Sequence, residues 1–212
     1  VPVFREAGYN SLIISYRNDT EAPQSGDGRY SLGDTEWLDV DSAIDFAASR
    51  GARHVVLMGW SMGGAIVLQT ATRSRHRDLL RGVVLESPVI DWADVVAFQG
   101  VAMGLPSAIA RGAMRVMGGR WGGLITGQSL PIDFARLDFV ARADELEIPM
   151  LLLHSNDDGF VPVTGSRALA TSRSDIVTFV PFGVARHTKL WNYDRARWNG
   201  TIAIWLAELR SD

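Results

Sequence analysis

Among the residues whose side chains can do chemistry, one serine stands in a setting that suits a nucleophile. Ser61 lies at the centre of Gly59-Trp60-Ser61-Met62-Gly63, after the run His54-Val55-Val56-Leu57-Met58 and shortly before Ala65-Ile66-Val67-Leu68-Gln69. The first run has the β-branched, apolar character of a strand and the second that of a helix, so the serine falls on the turn between them. A turn that sharp strains the backbone and lifts the hydroxyl clear of a sheet edge. Gly59 and Gly63 carry no Cβ and would let strand and helix approach, with Gly64 aiding the same packing. A serine held this way attacks an acyl carbon once a neighbouring base takes its proton. The plain alternative is a Gly-Ser-Gly turn opening a helix, since the bare pattern occurs by chance; the flanking elements favour the nucleophile.

Candidate partners for that serine are few. The chain has four histidines, His54, His76, His154 and His187, and an adjacent pair of acids, Asp157 and Asp158. His54 begins the strand that precedes Ser61 and would sit at the opposite sheet edge. His76 belongs to the basic stretch Arg73-Ser74-Arg75-His76-Arg77, and His154 closes an apolar run and is suited to ordering the acidic loop. A metal held by His154, Asp157 and Asp158 is weighed and set aside, because three nearly contiguous side chains do not close a site.

The elements that must position these groups alternate. Ser11–Tyr16, His54–Gly59, Gly82–Leu85, Ile148–His154 and Ile176–Val180 have the apolar, β-branched character of buried strands. Between them, Asp34 to Gly51 carries Trp37, Val40, Ile44 and Phe46 on one helical face, Met62 to Arg73 is helical, and a helix is expected near Ser166 to Ala170. Trp198, Ile202, Trp205, Leu206 and Leu209 mark a final amphipathic helix over 194–209. Uniformly apolar strands joined by helices imply a mostly parallel sheet covered on both faces. Residues 91–145 interrupt the alternation, with Trp92, Phe98, Met103, Leu105, Met114, Met117 and Trp121 among many glycines. A helical cap over the site and an irregular crossover both fit, and a connection that long is most often functional.

Composition narrows the classes. The 212 residues suit one domain, with 47% hydrophobic and 21% charged residues as in ordinary globular proteins. A net charge of −3 gives no reason to expect nucleic acid, and Arg73 to Arg77 suits the negative end of a helix dipole. The absence of cysteine excludes disulfides, thiolate zinc sites and a cysteine nucleophile, but leaves the compartment open. No apolar run reaches the roughly 20 residues of a membrane span, and no signal peptide is visible.

Taken together, Tyr16-Arg17-Asn18-Asp19, Leu57 to Gly64, Glu86-Ser87-Pro88-Val89-Ile90-Asp91-Trp92, His154 to Pro162 and His187 to Asn192 resemble the α/β-hydrolase superfamily. The likeness is closest to bacterial, actinobacterial-type serine esterases and lipases, and it spans nearly the whole chain. It implies the α/β-hydrolase fold over 1–212, a cap at about 91–145, and a triad in the order nucleophile, acid, histidine. Aligning His154 and Val161-Pro162 with the family loop puts the acid on Asp158, with Ser155 in place of the usual glycine; Asp157, one residue away, stays open as the alternative. His187, in a loop past Gly183, takes the base by elimination and by family position, against the plain reading of a surface histidine.

The resemblance also implies two oxyanion donors, one of them the backbone N–H of Met62. The other comes from a loop after the third family strand, and no such segment is found. Val1 to Ala7 has the look of the helix that follows that loop, and the chain opens without an initiator methionine. Either it is the C-terminal part of a longer enzyme lacking the N-terminal strands, or Arg17 and Asn18 substitute. The expectation is a cofactor-independent hydrolase of a carboxylic ester with an apolar acyl or alcohol group, peptide, amide or thioester being alternatives. A non-catalytic module binding an apolar ligand or partner is the second class. Oligomeric state and location are left open.

Overall fold

In the computed structural model, which describes residues 2–210, four strands form one parallel sheet in the order β1 (Val55–Trp60), β2 (Leu80–Glu86), β3 (Met150–Ser155) and β4 (Val177–Phe182). The chain enters through a short helix, α1 (Pro2–Glu6), and a long loop, then α2 (Trp37–Ser49) leads to β1. Helix α3 (Met62–Arg73) joins β1 to β2, and α7 (Val163–Ser172) joins β3 to β4. Between β2 and β3 lie α4 (Trp92–Ala102), α5 (Ser107–Met117) and α6 (Gly122–Thr126). After β4 come α8 (Leu190–Tyr193) and α9 (Arg195–Leu209), the latter started by Asp194, whose carboxylate accepts from the Arg197 N–H at 2.9 Å.

Strand periodicity divides the core. Val83, Leu85, Met150 and Leu152 point to the face covered by α2, α3 and α7, with Ile44, Leu68 and Leu169. Their neighbours Val84, Leu151 and Leu153 point the other way, toward Val3 and Phe4 of α1 and Trp198, Ile202 and Leu206 of α9. Burial on both faces explains strands without polar alternation.

One expected strand is missing. Ser11–Tyr16 has no ladder, and Leu12 and Ile13 are exposed. A strand exists by virtue of its hydrogen-bonded neighbour, and β1 at the sheet edge pairs only with β2. Val1 lies outside the described residues. The basic stretch is held by acids: Arg73 meets Asp34 at 2.8 Å, Arg75 meets Asp41 and Asp45, and Arg77 meets Glu147 at 2.7 Å.

The packing of α3 against the sheet assigns the elbow glycines differently from the sequence. A Cβ on Gly59 would run into the backbone of Gly63 and Gly64, and one on Gly64 would lie 2.5 Å from the Pro88 Cβ. A Cβ on Gly63 would meet nothing within 4 Å. Gly64→Ala is therefore expected to destabilise by about 1–3 kcal/mol through overpacking, lowering the melting temperature by roughly 2–4 °C per kcal/mol. Gly63→Ala should leave it unchanged or slightly raised, so calorimetry of the two variants checks the assignment.

Candidate active site

Ser61 is the hinge between β1 and α3, with φ 50° and ψ −121°, a conformation rare for a residue with a Cβ. Three main-chain hydrogen bonds hold it there. Its N–H donates to the Glu86 carbonyl at 3.2 Å, and its own carbonyl accepts from Gly64 at 2.9 Å and Val89 at 3.1 Å. The hydroxyl is thereby directed at His187, whose Nε2 lies 3.0 Å from Ser61 Oγ.

On the far side of the imidazole, Nδ1 lies 2.8 Å from Asp158 Oδ2. A carboxylate only accepts, so Nδ1 carries the proton and Nε2 is free to accept from the serine hydroxyl. Asp158 is buried and heavily bonded: Oδ1 accepts from the Phe160 and Val161 N–H groups, both at 2.9 Å, and Oδ2 also lies 3.2 Å from His154 Nε2. Burial alone would raise its pKa, but hydrogen bonds from His154, His187, Val161 and Phe160 together hold the carboxyl well below its usual range. His154 is fully buried and orders this loop, its Nε2 facing acceptors on Asp158 and Val161 while Nδ1 meets Ser166 Oγ at 2.7 Å.

Asp157 does not reach the imidazole. It accepts from the Ser155 hydroxyl at 2.6 Å and the Arg186 N–H at 2.9 Å, which hold its carboxyl below the ordinary value. The remaining histidines are elsewhere: His54 Nδ1 accepts from Arg81 at 3.0 Å, and His76 lies 3.4 Å from Asp45. Met62 is the first residue of α3, so its N–H is one of the helix-end donors beside Ser61. Arg17 and Asn18 are committed to other partners. The Arg17 guanidinium and N–H bind Asp39, while Asn18 bonds through its N–H to the Pro23 carbonyl and through Nδ2 to that of Arg29.

Several residues that hold this arrangement have no assigned role in the sequence reading. The His187 loop is strained on both sides, with Arg186 at φ 58° and Thr188 at φ 50°, and four side chains capture its amides. Ser155 Oγ accepts from Ala185, Asp157 from Arg186, Ser87 Oγ from Thr188, and Glu86 Oε1 from Leu190. Glu86 is only 1% exposed; its Oε2 accepts from the indoles of Trp60 at 3.0 Å and Trp198 at 2.8 Å. Burial pushes its pKa up against these bonds and the nearby His187. A lone carboxylate closing an apolar strand, and a serine where the family loop has glycine, were the legible signals.

Beside His187 opens a cleft of about 420 Å³ lined by Asp157, Gly159, Phe160, Arg186, His187 and Lys189. The Phe160 ring lies 5.2 Å from that of His187. None of these lining residues comes from the 91–145 insertion, and the two cations are charged groups that the sequence did not single out. Among the described residues, no group of three or more histidine or acidic side chains is arranged to hold a metal ion, and no helix is long and apolar enough to cross a membrane.

The sequence profile described as the alpha/beta hydrolase family matches residues 4–206. No curated protein matches. Among solved structures, the fold is similar to an esterase of Pyrococcus furiosus, with TM-score 0.71 and 14% identity over 98% of this chain and 73% of that one. It is also similar to an esterase from a Rhodococcus species, with TM-score 0.57 and 19% identity over 89% and 76%. A monoacylglycerol lipase of Paleococcus ferrophilus gives TM-score 0.54 and 20% identity over 84% and 77%.

The electrostatics of Asp158 carry a stability consequence. Its carboxyl titrates lower folded than unfolded, so its stabilisation is complete above the unfolded carboxylate range near pH 4 and is lost as pH falls toward the folded value. In urea unfolding, the midpoint of Asp158→Asn is expected to fall less than the parent's between about pH 5 and pH 3. Parallel declines would assign the acid sensitivity to other carboxylates.

Proposed function

The chain belongs to the alpha/beta hydrolase family, and on that premise we propose that it is a serine hydrolase that cleaves carboxylic esters through an acyl-enzyme on Ser61. The observation that carries the reading is the unbroken line of hydrogen bonds from Ser61 Oγ through His187 to Asp158, at 3.0 Å and 2.8 Å. His187 Nε2 takes the hydroxyl proton as Oγ bonds to the carbonyl carbon, and Asp158 stabilises the imidazolium that forms. The carbonyl oxygen gains the negative charge and accepts from the Met62 N–H at the positive end of α3. Collapse breaks the ester C–O bond, and the imidazolium proton passes to the departing alkoxide. Water then attacks the acyl carbon while His187 takes its proton, and Ser61 is released when that proton returns.

Ester is favoured over amide or thioester because similar structures are described as esterases and as a monoacylglycerol lipase, although an acylaminoacyl peptidase of Pyrococcus horikoshii also shares the fold. The apolar insertion at 91–145 is proposed as a cap on the substrate side. Helix α4 supports this, since Gln99 Nε2 donates to the carbonyls of Gly159 and Phe160 beside His187. The competing reading, a non-catalytic module, predicts an unreactive serine.

A fluorophosphonate probe is expected to label the protein at Ser61 and to leave Ser61→Ala unlabelled. An unlabelled parent, or labelling that persists in the variant, rejects the hydrolase reading. Asp158→Asn should lower turnover of a p-nitrophenyl ester by about 10³–10⁴-fold, the scale seen when a triad acid is neutralised. Asp157→Asn should lower it far less, since that carboxylate holds a loop amide and not the imidazole. The reverse ranking would move the acid's role to Asp157.

A further inference from the structure

Charge and apolar surface are unevenly divided along this chain. All of its 24 Asp and Glu residues lie outside 95–132, a stretch with three arginines, Arg111, Arg115 and Arg120. This is the segment that forms most of α4, all of α5 and α6, and the turns between them. Among the described residues, neither Arg115 nor Arg120 has an ion-pair partner, whereas Arg73, Arg77 and Arg142 outside the stretch each pair with an acid. The Arg120 guanidinium instead sits over the exposed Trp121 ring, 4.6 Å from its centre. Asp27 meets the stretch only at its end, accepting from the Ser129 N–H.

The same stretch exposes large apolar side chains. Met103 is 79% exposed, Leu124 80% and Leu130 75%, and Ile109, Trp121 and Ile125 are each more than half exposed. A concentration of this kind is unusual on a soluble surface and marks a binding face. Its chemistry selects the partner. Nucleic acid would satisfy the arginines and leave the aliphatic side chains in water. An anionic bilayer surface offers both environments at once: lipid phosphates for guanidinium groups, and the acyl boundary for leucine, isoleucine, methionine and tryptophan. A surface-lying mode also agrees with the described helices, none of which is long and apolar enough to cross a bilayer.

We propose that the face formed by α5, α6 and the flanking turns docks on anionic lipid surfaces, with Met103, Leu124, Ile125 and Leu130 entering the acyl boundary and Arg115 and Arg120 meeting the phosphates. Helix α4 links this face to the Asp158 loop through the Gln99 bonds to Gly159 and Phe160. The docking depends on the surface alone and not on the reaction proposed for Ser61.

The test is co-sedimentation of the 212-residue chain with phosphatidylcholine vesicles, with and without phosphatidylglycerol. Binding is expected only when phosphatidylglycerol is present, and to weaken with salt. Arg115→Gln and Arg120→Gln should each weaken it by about fivefold, the change expected from about 1 kcal/mol per basic residue at such a surface. Leu124→Asp with Ile125→Asp should abolish it, with the melting temperature unchanged because both sites are exposed. Ser61→Ala should bind like the parent, which separates this proposal from the catalytic one. Equal binding to both vesicles, no binding, or variants that bind like the parent would overturn it. So would a dimer in sedimentation that Leu124→Asp dissociates while vesicles are ignored, which would assign the face to a second copy.

Discussion

The site hangs on the end of β2. The last residue of that strand, Glu86, does two jobs from one Cα: its carbonyl accepts from the Ser61 N–H, and its carboxylate accepts from the Leu190 N–H just past His187. The next residue, Ser87, bends at φ 47° and catches Thr188 with its hydroxyl, while its own N–H donates to the Leu153 carbonyl of β3. Ser61 and His187, 126 residues apart in sequence, are thus referenced to one strand terminus. Ser61 and the two neighbours of His187, Arg186 and Thr188, lie in backbone strain of order 1–3 kcal/mol per residue, which persists only where the surroundings over-determine it. Among the described residues, four of the six non-glycine residues with positive φ, Ser61, Ser87, Arg186 and Thr188, are in this small volume.

Two adjacent aspartates then divide the remaining work by environment. Asp158 is buried, where an unpaired charge would be costly, and its two oxygens are satisfied by two N–H groups and two imidazoles. That keeps it ionised against the imidazole, fixing the tautomer that leaves Nε2 open. Asp157 remains in solvent and serves the backbone of Arg186. A one-residue shift along the loop separates a carboxylate that touches the imidazole from one that positions the loop carrying it. His154 matters for the same reason. Without a second imidazole on Oδ2, burial would act on Asp158 with one fewer hydrogen bond to offset it.

How much of this was legible in the sequence depends on range. The turn at Ser61 was readable because strand, glycines and helix are contiguous, and the four observed strands were readable as apolar runs. His187 and the acidic loop were placed by resemblance in order and spacing. What local pattern could not deliver were the long-range bonds. Glu86 showed only as a carboxylate ending an apolar run, with no hint of the Trp198 indole 112 residues on. The Ser11–Tyr16 segment has strand composition yet no ladder, because composition does not supply a neighbour. Gly63 matched the motif while Gly64 carries the close contact, a distinction set by Pro88 from another element.

Those observations divide the molecule into two physical regimes. Beneath Ser61, apolar side chains are spent inside: Val83, Val84, Leu85 and Leu151 to Leu153 have no exposed surface. In the stretch 95–132, large apolar side chains such as Met103, Leu124 and Leu130 are left outside, and no aspartate or glutamate accompanies the arginines. A floor built to hold a strained geometry needs no further partner to define it. A basic, apolar surface retains free energy that only another surface can release, at about 25 cal/mol for each Å² of apolar area removed from water. The two regimes meet where α4 bonds to the Asp158 loop through Gln99, so whatever settles on the stretch that includes α4 is in mechanical contact with the wall beside His187.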